Sequence, residues 1–282
     1  MTEALPTVSH AIREAAARLA ATSDTARLDA EVLMAHALNT SRSDLLLRHM
    51  GHAVPAQFAA SIERRLQHEP VAYIVGHQEF YGLPFRVNRD VLIPRADSEV
   101  VVEHALAAQP TARRVLDCGT GSGALLLAVL TNLLDADGMG IDRSEEALAV
   151  ARSNAQVLKL EVRARFLTAD WSQPGWDEGL GGRFDLILAN PPYVEEQADL
   201  HSSVRSFEPA GALFAGEDGL DAYHLLIPQM PALLAPRGAA LVEIGSSQAD
   251  AVSAIANAAG LCAQVHLDLG GRPRALELSF GG

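Results

Sequence analysis

Residues 113–123 read RRVLDCGTGSG and residues 184–193 read FDLILANPPY. Each is a short apolar run that stops abruptly on glycine or proline, as a strand of a buried parallel sheet does. Five further runs have the same character: GMGID, RARFLTAD, AALVEIG, AQVHLDL and RALELSF. The helical patterns SGALLLAVLTNLL, SEEALAVARSNAQVLKL and SQADAVSAIANAAG fall between them. That alternation predicts an α/β fold with a Rossmann-like, doubly wound sheet over residues 96–282. The last two strands are joined only by GGRP, too short for a helical crossover, so the sheet is expected to be mostly parallel with an antiparallel last strand.

Upstream, HAIREAAARLA, ARLDAEVLMAHAL, SDLLLRH and PAQFAASIERRLQ carry apolar residues three and four apart, which predicts a small all-helical domain over residues 1–78. Asp24 and Ser43 stand where N-caps are expected, and Pro55 where a first turn tolerates it. Between the two parts, EFYGLPFRVNRDVLIPR changes to an aromatic and β-branched pattern broken by Gly82, Pro84 and Asn88. A β-hairpin linker is expected over residues 79–95.

The 282 residues are 49% hydrophobic and 20% charged, and contain no apolar run of the ~20 residues a membrane span requires. MTEALPTVSHAIREA lacks the charged start and apolar middle of a secretory leader, and the only cysteines are Cys118 and Cys262, so a cytoplasmic location without a disulfide framework is expected. The net charge of −13 argues against stable nucleic-acid binding. Residues 1–80 hold 7 Lys+Arg against 9 Asp+Glu, leaving 15 against 26 for the rest, so the larger part suits a basic protein partner better than a polyphosphate. His10, His36, His49, His52 and His77 lack metal-ligand spacing; no metal is expected, and the chain is expected to be a monomer.

Gly119-Thr120-Gly121-Ser122-Gly123 closes one strand and opens a helix, a place where backbone can approach a ligand. Its spacing, G-x-G-x-G, differs from the dinucleotide pattern. Asp142 ends the next strand, where a carboxylate can accept from both hydroxyls of a ribose, and Asp170-Trp171 follow the third with an acceptor and a flat ring for adenine. Singly these are a turn, a helix cap and a core aromatic. Together on one sheet edge they point to an adenosine-containing cofactor.

Asn190-Pro191-Pro192-Tyr193 carries the chemistry. The prolines stiffen the loop and have no N–H to give a sheet, leaving a row of acceptors. A planar amide or amino nitrogen is a poor nucleophile until both its N–H bonds are gripped. The Asn190 side-chain oxygen and the Pro191 carbonyl can grip them, with the Tyr193 ring as a platform.

With these motifs, and with EPVAYIVGHQEFYGLPFRV, DVLIPRADSE, VRSFEPAGALFAGEDGLDAYH and VEIGSSQ, the chain resembles the release factor glutamine methyltransferase family over nearly its whole length. The resemblance implies methyl transfer from S-adenosylmethionine, leaving S-adenosylhomocysteine, to the glutamine of the Gly-Gly-Gln loop of class 1 peptide chain release factors. It implies that Gly119 to Gly123, Asp142, Trp171 and Asn190 contact the cofactor, that Asn190 to Tyr193 hold the glutamine, and that the helical domain docks the release factor. Ala96 stands where the family usually has proline, and LDLGGRPRALEL is a loose version of its closing hairpin. The rival readings are a ribosomal-protein glutamine methyltransferase, an adenine N6 methyltransferase and a noncatalytic module bound to the translation apparatus.

Overall fold

A computed structural model describes residues 7–281. The chain forms two compact units: one runs to His77 and takes in Leu200–Phe207, and the other holds Gln78–Asp199 and everything from Glu208 onward. No periodicity in the sequence assigns the eight residues Leu200–Phe207 to the helical unit.

The helical unit is built on Val8–Leu19, Ala26–Ala37, Gln57–Leu66 and Val71–Val75, with a π-helical turn at Leu45–His49. Ile12, Leu19, Leu33, Met34, Phe58 and Ile62 meet in its core, as their spacing predicts. The caps differ from the expectation. Thr7 accepts from the His10 N–H and Ser41 from the Asp44 N–H, each from an extended backbone that aims the hydroxyl along the first turn. Ser43 lies inside the short helix that Ser41 caps, and Asp24 precedes Thr25, the residue at the cap position.

β1 (His77–Phe80), in the larger unit from Gln78 on, and β2 (Leu83–Arg86) make a hairpin. Its two connecting residues, Tyr81 and Gly82, have φ of 53° and 70°, the turn whose twist matches paired strands. The hairpin stops at Arg86. Residues 87–95, expected to continue it, form a loop that Asn88 turns by accepting from the Asp90 N–H. The unheralded helix Glu99–Ala108 follows, burying Val100, Val101, Val102 and Ala105.

The main sheet has β3 (Arg114–Cys118), β4 (Asp137–Asp142), β5 (Ala164–Thr168), β6 (Phe184–Ala189), β7 (Leu234–Glu243), β8 (Leu261–Leu267) and β9 (Pro273–Phe280). They are ordered β5-β4-β3-β6-β7-β9-β8. Neighbours from β5 through β7 are parallel, and β9 lies between β7 and β8, antiparallel to both. β3 is buried from Val115 to Cys118, and helix Ala124–Asn132 buries seven consecutive residues, so both lack a polar face. Gly138 permits that helix to lie close, because a Cβ there would sit 2.6 Å from Leu126 Cδ1. The winding reverses between β3 and β6, which opens a crevice beyond the carboxyl ends of these strands.

Candidate active site

The crevice is a cleft of about 850 Å³ bounded by Gly119 to Ser122, Asp142, Asp170, Trp171, Asn190 and Pro192, with a second wall from the 89–95 loop. Gly123, Pro191 and Tyr193 adjoin these residues in the chain without lining the cleft.

The glycine turn is held from below. The Gly119 and Thr120 N–H groups both donate to the Ile141 carbonyl, at 2.9 and 2.8 Å. Gly119, Gly121 and Gly123 all have φ between 53° and 82°, which side chains with a Cβ resist. A Cβ on Gly119 would also stand 3.0 Å from the Trp171 ring, so the glycine lets the indole pack directly against the turn. Fully buried Asn154 ties this turn to the hairpin: its amide donates to the Ser122 and Arg86 carbonyls while its oxygen accepts from the Arg86 N–H.

Asp142 accepts from the Gly121 N–H through Oδ2 at 2.9 Å and from the Ser144 N–H through Oδ1 at 3.0 Å. Each oxygen keeps a lone pair for a ligand hydroxyl. The helix cap that Asp142 alone could have been is Ser144, which accepts from the Ala147 N–H. Asp170 accepts from the Ser172 N–H, a bond that holds its carboxyl below the usual range.

Sequence reasoning passed over Asp117. Its Oδ2 accepts from the Thr120 hydroxyl at 2.7 Å, while Oδ1 is buried without a partner among the described residues. Burial pushes this carboxyl up to about 7 against the Thr120 bond, with Asp142 adding to the rise. Such a group invites a cationic or N–H donor from a ligand. The signal was present: a carboxylate interrupting the apolar run VLDC at the strand end that meets the cleft. The structure pairs Arg95 with the buried Glu208, which also accepts from the Ile93 N–H. That pairing pins the loop in which Ala96 replaces a proline.

Asn190 donates through Nδ2 to Ser98 Oγ at 3.4 Å. Its Oδ1 and the Pro191 carbonyl make no hydrogen bond among the described residues, so two acceptors stay uncommitted in adjacent residues. Tyr193 points elsewhere. Its hydroxyl donates to Glu243 Oε1 at 3.3 Å, its ring packs with the β6–β7 core, and Gln248 Nε2 donates to its carbonyl. The sequence proposed its ring as an acceptor platform; the structure places it as the anchor of the loop.

Known proteins sharpen the class. Residues 10–76 match the PrmC N-terminal domain and residues 111–265 a methyltransferase domain. A methyltransferase from Pyrococcus furiosus superposes with a TM-score of 0.54 at 15% identity, over 72% of this chain and 91% of that one. The hMettl16 catalytic domain does so with a TM-score of 0.57 at 15% identity, over 75% and 82%. Sheet order and matched domain define a methyltransferase. The release factor glutamine methyltransferase of Bradyrhizobium diazoefficiens is 41% identical over 96% of this chain and 94% of its own length. That of Cereibacter sphaeroides is 42% identical over 95% and 96%. This chain belongs to the release factor glutamine methyltransferase family.

Proposed function

We propose that the chain transfers a methyl group from S-adenosylmethionine to the side-chain amide nitrogen of the glutamine in the Gly-Gly-Gln motif of class 1 release factors, as a cytoplasmic monomer. The observation that carries this reading is Asn190 lining the cleft at the end of β6 with its Oδ1 uncommitted among the described residues, next to the equally uncommitted carbonyl of Pro191. A glutamine NH2 gripped there has both N–H bonds directed and its nitrogen oriented; as the N–C bond forms, the S–C bond breaks and one N–H proton is released.

For the cofactor, Asp142 would hold the ribose, Trp171 and Asp170 the adenine, the Gly119 to Gly123 backbone the chain between, and Asp117 Oδ1 an ammonium. The bound cofactor supplies a methyl group already activated by a sulfonium. The protein's own part is alignment: a stiff Asn190–Pro192 segment, a pinned 89–95 loop, and a helical unit that docks the release factor. An adenine amino group poses the same geometric problem, but the charge of −13 weighs against a nucleic-acid substrate.

The test is incubation with radiolabelled cofactor and a purified class 1 release factor, followed by mapping of the label by mass spectrometry. Label on the Gly-Gly-Gln glutamine is expected. Tight cofactor binding with no label on any translation factor would overturn the reading.

A further inference from the structure

Behind the Asn190 loop, at the end of β7, lies a carboxylate that the methyl-transfer scheme leaves unused. Glu243 is 1% exposed, and its Oε1 accepts from the Tyr193 hydroxyl at 3.3 Å. Its backbone carbonyl accepts from the Tyr223 hydroxyl at 2.9 Å, which fixes the residue in place. Oε2 is buried with no partner at hydrogen-bond distance among the described residues. Ser98, itself buried, bears on this carboxyl from one side and accepts from Asn190 Nδ2 on the other.

We propose that Glu243 is a positioning residue for methyl transfer, acting through Ser98 on Asn190 and directly on Tyr193. The proposal rests on the reading of Asn190 as the grip on the acceptor amide. Above about pH 7 the Glu243 carboxyl is ionised, and a carboxylate accepts hydrogen bonds and donates none. Beside it, the Tyr193 O–H and the Ser98 O–H both turn inward, and the unsatisfied Oε2 is the drive for the second of these. Ser98 Oγ then has only lone pairs left to show Asn190. Asn190 must answer with its NH2, and that orientation presents Oδ1 to the acceptor. A glutamine at position 243 has the same shape but cannot impose this polarity, because its NH2 donates to one of the two hydroxyls and turns it round. Gln248, clamping the Tyr193 carbonyl, completes the hold on the loop from the same strand end.

Single-turnover methylation of a release factor, with cofactor affinity measured by calorimetry, tests this in Glu243→Gln, Asn190→Ala and the double variant. Glu243→Gln is expected to slow the methyl-transfer step by about tenfold or more, with cofactor affinity within about twofold of wild type. In the Asn190→Ala background its further effect should fall well short of multiplicative, because the route through Ser98 is gone and only the hold on Tyr193 remains. An undiminished rate in Glu243→Gln, or a full multiplicative loss on top of Asn190→Ala, would overturn the proposal. If Asn190→Ala alone kept the wild-type rate, the reading of Asn190 as the grip would fail first, which separates the two failures. Ser98 supplies an independent arm: Ser98→Ala should reproduce the slow step and Ser98→Thr, which keeps the hydroxyl, should restore it. Equal rates in those two variants would remove the relay whatever Glu243→Gln does.

Discussion

The helical unit and the cleft of the larger unit both bury charge, and they treat it in opposite ways. In the helical unit, buried Asp29 accepts from Arg65 at 2.7 Å, buried Glu31 from Arg27 and Arg42, and buried Glu69 from Arg64. Burial alone would raise the Glu31 carboxyl, but the two arginines outweigh it and its pKa ends below the ordinary value. In the larger unit, Asp117 at the cleft and Glu243 behind the Asn190 loop are as deeply buried, each keeps one oxygen without a partner among the described residues, and burial carries both up to about 7. Charge that is only structural is neutralised on the spot. Charge left unsatisfied beside a cleft is available to a ligand or to the alignment of a neighbour.

The sharpest way to break that contrast is to make the helical unit resemble the cleft. Asp29→Ala leaves Arg65 buried and uncompensated, and is expected to cost about 3 to 5 kcal/mol of stability in chemical denaturation. A loss under about 1 kcal/mol would mean that the pair is not the neutralised structural charge described here. Adding a carboxylate to the cleft is the complementary change. Asn190→Asp keeps an acceptor but places negative charge where the cofactor's positive charge is lost during transfer, which favours the ground state. Single-turnover rate should fall on the order of 10², about 2.7 kcal/mol of barrier, with cofactor affinity within roughly tenfold; a near-normal rate in the folded variant would remove Asn190 from the grip.

Asp142→Ala, which takes away a carboxylate already bonded to its own backbone, should weaken cofactor binding by roughly 1.5 to 3 kcal/mol in calorimetry. Unchanged affinity would make Asp142 only the brace of the glycine turn. The smallest effect tests the unpaired carboxylates by pH. Their folded pKa values lie above the ordinary ones, so between about pH 4 and 7 the folded chain holds protons that the unfolded chain has released. The stability they contribute is complete below the ordinary carboxylate pKa and is lost as pH rises through about 7. Glu243→Gln should therefore melt higher than wild type at pH 8, by an amount on the order of 1 kcal/mol, and lose the advantage by pH 4. A constant difference across that range would show that Glu243 does not titrate in the folded chain.

The sheet was legible because parallel strands buried on both faces are written as continuous apolar runs, and GGRP leaves no room for a crossover. The glycine turn, Asp142 and the Asn190 loop were legible because each ends such a run. Helix Glu99–Ala108 carries the β-branched run Val100-Val101-Val102, which favours strand locally, and burial against the sheet overrides that preference. Asp117 and Glu243 were quoted inside strand sequences without notice of their burial, which depends on neighbours distant in sequence. The platform assigned to Tyr193 followed from its chemistry, but its direction is set by Glu243, fifty residues away.

One feature of the chain's path bears on dissection of the gene. Because Leu200–Phe207 belongs to the helical unit, neither unit is a continuous stretch of polypeptide. A cut at residue 78 removes most of one unit and strands eight residues that were folded with it. Splitting the protein cleanly therefore takes a short linker from Asp199 to Glu208 as well as the terminal cut. An isolated helical fragment would need those eight residues grafted back on, or a circular permutation that keeps them in its reading frame.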